Sequence, residues 1–558
     1  MSYIRYLPSR AAERRDTSPL SSRTGERRDT SPLSSDIDGR RHTPLSSRMS
    51  EQSERVSGNT IPHVSPDHAR VRRTSGNALP AGAITALLAV VFAACAPPAY
   101  VPPTVIAPGQ RIGVTPSSDS ARKFFDSLAV ERRNDVPRKP VTDVSVAWMD
   151  IIRDPTLSRL VDIAVQQNRN IQIAVARINE YRANVGIARS AQLPGITLNA
   201  SESANQVALG NAPPTSYRAA RITGDLTWEV DFWGRVRGGV EAANADLGAQ
   251  DAAQRAAVLS LVGDVASGYL RLLELDQERI IAERTLSARR STLEIARARF
   301  AQGLTSELDV RQFEAQVAAP AVTLAQAERA LAQTEHNLNV LLGQGPARVP
   351  RGLALNQVVT ALAIPDSLPA ALLARRPDVI QAERTYAAAM ARVGVADAAR
   401  WPTVSIGGSL GSQAGVPTGL FGSQTKVYQA LIGVSFPLFD NARLANVSAA
   451  ARARAEQTRA SYEGVALNAL REANDALIGV RTARDEAVAQ ATQANALRQA
   501  LELATLRYQA GLATYLDLLD AQRSLFGAEL ALSQAQLGEL TSAVQLYKAL
   551  GGSWVVRP

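Results

Sequence analysis

Arg299-Phe300-Ala301-Gln302-Gly303-Leu304-Thr305-Ser306-Glu307-Leu308-Asp309 comes back 208 residues later as Arg507-Tyr508-Gln509-Ala510-Gly511-Leu512-Ala513-Thr514-Tyr515-Leu516-Asp517. The same offset carries Val185-Gly186-Ile187-Ala188 onto Val393-Gly394-Val395-Ala396, Pro194 onto Pro402, and Leu342-Gly343 onto Leu550-Gly551. Positions that stay in step over such a distance mark two copies of one structural unit. In each copy the central glycine, Gly303 or Gly511, separates two long helical patterns. A reversal there calls for a left-handed backbone, which glycine adopts without a Cβ penalty. Ser306-x-x-Asp309 and Thr514-x-x-Asp517 fit a capping box opening the next helix.

Outward from the reversal, residues 235–302 contain no proline, and Val258, Val262, Val265, Tyr269 and Leu272 form a helical seam. A helix of 68 residues is about 100 Å long, more than a compact domain uses. A second helix is expected over about 306–342, with Leu324, Leu331 and Leu338 in a heptad. Small residues between the apolar positions let neighbouring helices approach on two sides, as in the wall of a tube. Earlier in each copy, helices are expected over about 156–191 and 366–399, ended by Pro194 and Pro402. Alternating segments follow: Ile196–Ala200 and Ile222–Val230, then Val404–Leu410 and Tyr428–Phe436. Period-two alternation predicts strands with one apolar and one polar face. Gly/Pro/Ser/Asn loops over about 203–217 and 411–426 separate them.

The N-terminal part is of another kind. Glu13–Ser22 recurs at Glu26–Ser35 and, degenerately, at Arg40–Arg48. Residues 1–69 have no apolar face to bury and read as a disordered arm or as an over-extended gene start. Residues 70–94 read as an export signal, with Arg70, Arg72 and Arg73 before an apolar run from Ala78 to Phe92. Phe92-Ala93-Ala94-Cys95 fits a lipoprotein cleavage box that makes Cys95 the acylated N-terminus, although Phe92 departs from the usual leucine. Ala96 in place of aspartate permits sorting to the outer membrane, by analogy with bacterial lipoproteins. Pro97, Pro98, Pro102 and Pro103 then make residues 95–140 an extended tether.

Composition excludes several functions. Among 558 residues there is one cysteine and four histidines, three of them before residue 69. His336 alone cannot build a triad or a multi-histidine metal site. No metal, no cofactor and no catalytic set is expected. The net charge of +9 is uneven, because the first 94 residues hold 14 arginines against 9 acids. No charge cluster suits nucleic acid. No run of 18 apolar residues occurs after the signal, so a membrane protein of helical spans is not expected. Four strands cannot close a barrel in lipid, where an open edge is forbidden. Closure requires other chains, and three copies give twelve strands. The expected fold class is mainly α with a transmembrane β-barrel portion: a trimeric 12-stranded barrel continuous with a 12-helix periplasmic barrel. Each chain contributes two repeats, 141–350 and 351–558.

Several stretches resemble the outer membrane efflux protein family, the TolC-like channels, in its lipoprotein branch associated with drug-efflux pumps. They are Trp148…Asp154-Pro155-Thr156-Leu157, Ile187–Pro194, Trp228-Glu229-Val230-Asp231-Phe232-Trp233-Gly234-Arg235, Arg299–Val310, Leu368–Asp378, Tyr515–Arg523 and Gln545–Trp554. The resemblance covers about 140–556. It implies a homotrimer in the outer membrane, with Gly303, Leu304, Gly511 and Leu512 at periplasmic tips that contact an adaptor protein. The adaptor links to an inner-membrane pump that supplies the energy, so this chain is a passive gated conduit. The resemblance also places the closed gate at the second tip, with Tyr508, Asp517, Asp520 and Arg523 as its residues. A threefold ring of carboxylates would repel and gather cations. Asp309 and Asp517 read first as caps and only second as gate residues. Export of protein or glycoconjugate is the alternative cargo, and a non-transport coiled-coil surface lipoprotein the alternative class.

Overall fold

The computed structural model describes residues 100–101, 103–107, 110–113, 139–140, 152–208, 210, 213–358, 362–363 and 367–552. Cys95, the signal, the polar repeats, Trp148 and Trp554 lie outside them. After two short strands, β1 (Arg111–Gly113) and β2 (Lys139–Pro140), the first copy begins with α1 (Pro155–Gln167) and α2 (Arg169–Ser190). The expected single helix over 156–191 is therefore two. Asn168 ends α1 and caps α2, its side-chain oxygen accepting from the amides of Asn170 and Ile171. An asparagine that bonds nearby amides offers the backbone an alternative to helix continuation. Next come β3 (Gly195–Val207), β4 (Thr215–Val230), α3 (Arg235–Ala301) and α4 (Glu307–Leu341).

Between the copies lie β5 (Leu362–Ala363), β6 (Ser367–Pro369) and a 3₁₀ turn over Ala370–Arg375. The second copy follows as α5 (Pro377–Ala398), β7 (Thr403–Ala414), β8 (Lys426–Ser435), α6 (Arg443–Gln509) and α7 (Tyr515–Ala549). The helix expected from about residue 366 starts only at Pro377. Proline suits the first helical position, and its ring pushes Arg376 into extended backbone (φ −63°, ψ 132°). The long helices of the two copies have equal lengths, 67 residues for α3 and α6 and 35 for α4 and α7.

The strands are longer than the alternation alone suggested, because polar residues continue the pleat past the apolar segments. The four form one antiparallel sheet in the order β3-β4-β7-β8. Leu198 lies opposite Gly224, Gly224 opposite Leu410, and Leu410 opposite Tyr428. Trp228 faces Ile406, which faces Ile432. The neighbouring rows are polar: Thr197, Asp225, Ser409 and Gln429. Even-numbered positions thus form an apolar face and odd-numbered ones a mostly polar face. Among the described residues, β3 and β8 each have one unpaired edge.

Trp233 stacks on Trp401, ring centroids 5.1 Å apart, and its indole N–H donates to the Pro402 carbonyl, tying α3 to the start of β7. A tryptophan pair at a sheet–helix junction matches the aromatic belt of a membrane interface. By length and composition α3 contains one stretch apolar enough to cross a membrane, although polar residues interrupt it. Half of that stretch is buried within the protein, and Val262, Val265, Tyr269, Leu270 and Leu272 are core residues there. Its hydrophobicity serves packing.

The largest core lies where α1, α3, α4 and α7 meet. Asp154, 1% exposed, caps α1 through the Thr156 amide at 2.7 Å. It also accepts from the Tyr269 hydroxyl at 2.8 Å and the Leu353 amide at 3.2 Å, while Gly352 N–H donates to the Tyr269 oxygen. The connection between copies is thereby fastened to the first copy. On the second copy, β1 pairs antiparallel with β6, and Ile112 is fully buried beside Leu373, Val379, Ala473 and Leu477. Tyr100 packs edge-on against Tyr386 of α5. The described part of the segment read as a tether is therefore docked on the second repeat.

Candidate functional site

The two reversals have one construction. In the first, Leu304 N–H donates to the Arg299 carbonyl and Gly303 N–H to the Phe300 carbonyl, both at 2.9 Å. In the second, Leu512 donates to Arg507 at 2.8 Å and Gly511 to Tyr508 at 3.1 Å. This paired pattern needs a left-handed residue, and Gly303 and Gly511 sit at φ 72° and 73°. Nothing lies within 4 Å of where their Cβ would be, so backbone conformation alone demands glycine.

Both capping boxes form. Asp309 accepts from the Ser306 amide at 3.1 Å and from the hydroxyls of Thr305 and Ser306. Asp517 accepts from the Thr514 amide at 2.9 Å and its hydroxyl at 2.8 Å. Hydroxyl donation, from Thr305 and from Thr514 respectively, holds each carboxyl below the usual aspartate range. Both acids are therefore charged at neutral pH and engaged with their own helix.

Leu304 and Leu512 are exposed, and so are Leu308 and Leu516, the next leucines at the same offset. Those two were missed as tip residues, although their recurrence beside each cap was the available signal. Tyr508 is half-buried, with the Arg299 guanidinium 5.3 Å over its ring, so it joins the second reversal to the first. Asp520 and Arg523 lie one turn apart on α7, exposed, and make no ion pair with each other among the described residues. His336 is exposed on α4. Among the described residues no cluster of His, Cys, Asp and Glu could hold a metal ion.

Further from the tip, Glu529 of α7 is buried and accepts from Arg498 of α6 at 3.1 Å and from Arg284 of α3. One carboxylate thus braces both repeats. Sequence pattern gave no hint of it, since its partners lie 31 and 245 residues away.

An amphipathic four-stranded sheet continuing into two pairs of very long helices, duplicated within one chain, defines an outer-membrane channel of the TolC-like class. The sequence model of the outer membrane efflux protein family matches residues 160–344 and again 368–552. The chain belongs to that family. It is 34% identical over 424 residues to the solvent efflux pump outer membrane protein SrpC of Pseudomonas putida, covering 73% of this chain and 87% of that one. It is 32% identical to outer membrane protein OprJ of Pseudomonas aeruginosa, covering 73% and 86%. Among solved structures, the open MtrE outer membrane channel of Neisseria gonorrhoeae superposes with a TM-score of 0.70 at 29% identity, covering 82% of this chain and 98% of that one. VceC of Vibrio cholerae superposes with a TM-score of 0.67 at 28% identity, covering 73% and 98%. The protein is an outer-membrane efflux channel.

Proposed function

We propose that three copies of this chain form the exit duct of a tripartite efflux system, taking small molecules from an inner-membrane pump through a periplasmic adaptor. The observation that carries this reading is the sheet: one apolar face, one polar face and, among the described residues, two unpaired edges. Joined edge to edge, three sheets make a barrel of twelve strands with lipid outside and water inside. The duct has no catalytic step, and energy comes from the pump. The name of SrpC, a solvent efflux pump outer membrane protein, favours small organic molecules over protein or glycoconjugate as cargo.

Lipid anchoring through Cys95 fits the reach of the chain. Tyr100 lies against Tyr386, and about 22 Å of helix and turn separate Tyr386 from Trp401. Five residue steps separate Tyr100 from Cys95, a length of chain that can span at most about 17 Å. Mass measurement of the N-terminal peptide tests the acylation, and an unmodified Cys95 removes it.

The gate is assigned to the second tip, where Asp520 and Arg523 are free to make contacts between copies and Asp517 is occupied as a cap. Asp520→Ala, alone or with Arg523→Ala, is expected to raise single-channel conductance several-fold in a planar bilayer. Unchanged conductance removes this gate and leaves the duct standing.

A further inference from the structure

Arg289 of α3 is 2% exposed and makes no ion pair among the described residues. Its Nη1 donates to the Gln316 carbonyl at 2.8 Å and to the Gln316 side chain at 3.2 Å, both on α4. Its Nε and Nη2 have no hydrogen-bond partner among the described residues. On the other side the ring of Phe526 on α7 lies 5.3 Å from the guanidinium carbon, and the Tyr515 oxygen is close enough to interact with the charge. A second buried polar group lies at the same joint. Tyr515, the first residue of α7, packs its ring against Phe313 of α4 at 4.2 Å, and its hydroxyl is buried without a partner. Burial pushes Arg289 down and Tyr515 up to about 12, both shifts that mark polar groups short of solvation.

The helical hairpin does not require this arrangement. At the 208-residue offset, Arg289 is replaced by Leu497, Phe526 by Ala318 and Tyr515 by Glu307. A leucine therefore serves at the Arg289 position in the other copy. A cation buried without a carboxylate costs more than an apolar side chain of similar size. The cost exists only while the joint is shut, because parting α7 from α3 and α4 admits water to both groups.

We propose that the joint formed by Arg289, Tyr515 and Phe526 is a built-in bias toward opening: packed together, α3, α4 and α7 hold two under-solvated polar groups between the repeats, and parting them hydrates both groups. This rests on the reading of the second-repeat tip as the gate. It carries a sign opposite to that of an ordinary gate contact, since removing the polar group tightens the channel.

The test uses the full-length trimer in planar bilayers, with amide hydrogen exchange over residues 515–527 as an independent readout. Arg289→Met and Tyr515→Phe keep the packing and remove the unpaired groups. Each is expected to lower the open-to-closed ratio about tenfold and to slow exchange in the first turns of α7, with the trimer at least as heat-stable as before. Phe526→Leu, which removes the ring from the cation, is expected to act in the opposite direction. If Arg289→Met does not assemble, Tyr515→Phe, a change of one oxygen atom, decides alone. Wild-type or faster opening and exchange in these variants overturns the proposal. If Asp520→Ala leaves conductance unchanged while Arg289→Met still lowers the open-to-closed ratio and slows exchange, Asp520 is no gate residue and the joint stands.

Discussion

Ala442 stands at φ 61°, ψ 12°, immediately before α6. Its counterpart 208 residues earlier is Gly234, at φ 76° before α3. Both copies need a left-handed residue where the sheet hands over to the long helix, and only the first supplies glycine. A Cβ in that region costs about 1–2 kcal/mol, partly offset by the looser unfolded chain of glycine. Ala442→Gly is therefore expected to stabilise the protein by roughly 0.5–1 kcal/mol, read as a higher thermal midpoint of the trimer. Gly303 and Gly511 present the converse case: alanine there strains the reversal although space is open around it. These requirements were visible beforehand at Gly303 and Gly511, because the flanking motifs announce a turn. At Ala442 no residue type announces it.

The equivalent helices of the two repeats are closed by different chemistry. Asn168 sends its amide N–H to the Leu341 carbonyl at 2.8 Å, holding the last turn of α4. At the same offset Arg376 sends Nη1 to the Ala549 carbonyl at 2.8 Å, holding the last turn of α7. Beside each lies a left-handed glycine, Gly343 or Gly551, whose Cβ would meet Gln167 or Arg376. The first clasp is neutral. The second is ionic, with Arg376 also donating to Asp378 at 2.6 Å and Glu472 at 2.7 Å. Burial alone would raise the Asp378 carboxyl, but the Arg376 guanidinium holds it below the usual range. A depressed carboxylate stabilises the fold above its unfolded value of about 3.9 and loses that contribution as pH falls through the folded value. Stability is thus expected to fall below about pH 4 partly through this clasp. Asp378→Asn should flatten that acid limb of the heat-stability curve while Asn170→Asp, at the equivalent exposed position, leaves it in place.

Assembly of three chains turns the alternation of each strand into a barrel. Ile432 is in the apolar row with Ile406 and Trp228, and Gln429 in the polar row with Ser409 and Asp225. An arginine on the lipid face costs about 2–4 kcal/mol near the bilayer midplane and less near the interface. Ile432→Arg is expected to reduce the yield of heat-resistant trimer in outer membranes several-fold, whereas Gln429→Arg is tolerated and changes ion selectivity. Equal loss in both would reverse the assignment of the two faces. The face assignment also gives Ile196, Leu198, Tyr428 and Val434, all strongly exposed on a single chain, a membrane setting in place of a core.

The duplication, the lengths of the long helices, the reversals, the caps and the two faces of the sheet were legible in the amino-acid sequence. All of them depend on contacts a few residues apart: helix bonds four residues back, a pleat of period two, a cap reaching three residues on. The clasp of Asn168 on α4 was not legible, since its amide answers a carbonyl 173 residues away. Nor was the fastening of Asp154 by Tyr269 and Leu353, over 115 and 199 residues, or the unbalanced burial of Arg289 against Phe526. Burial and partnership across such distances arise when helices of two repeats pack together, and no local periodicity records which polar atoms then meet.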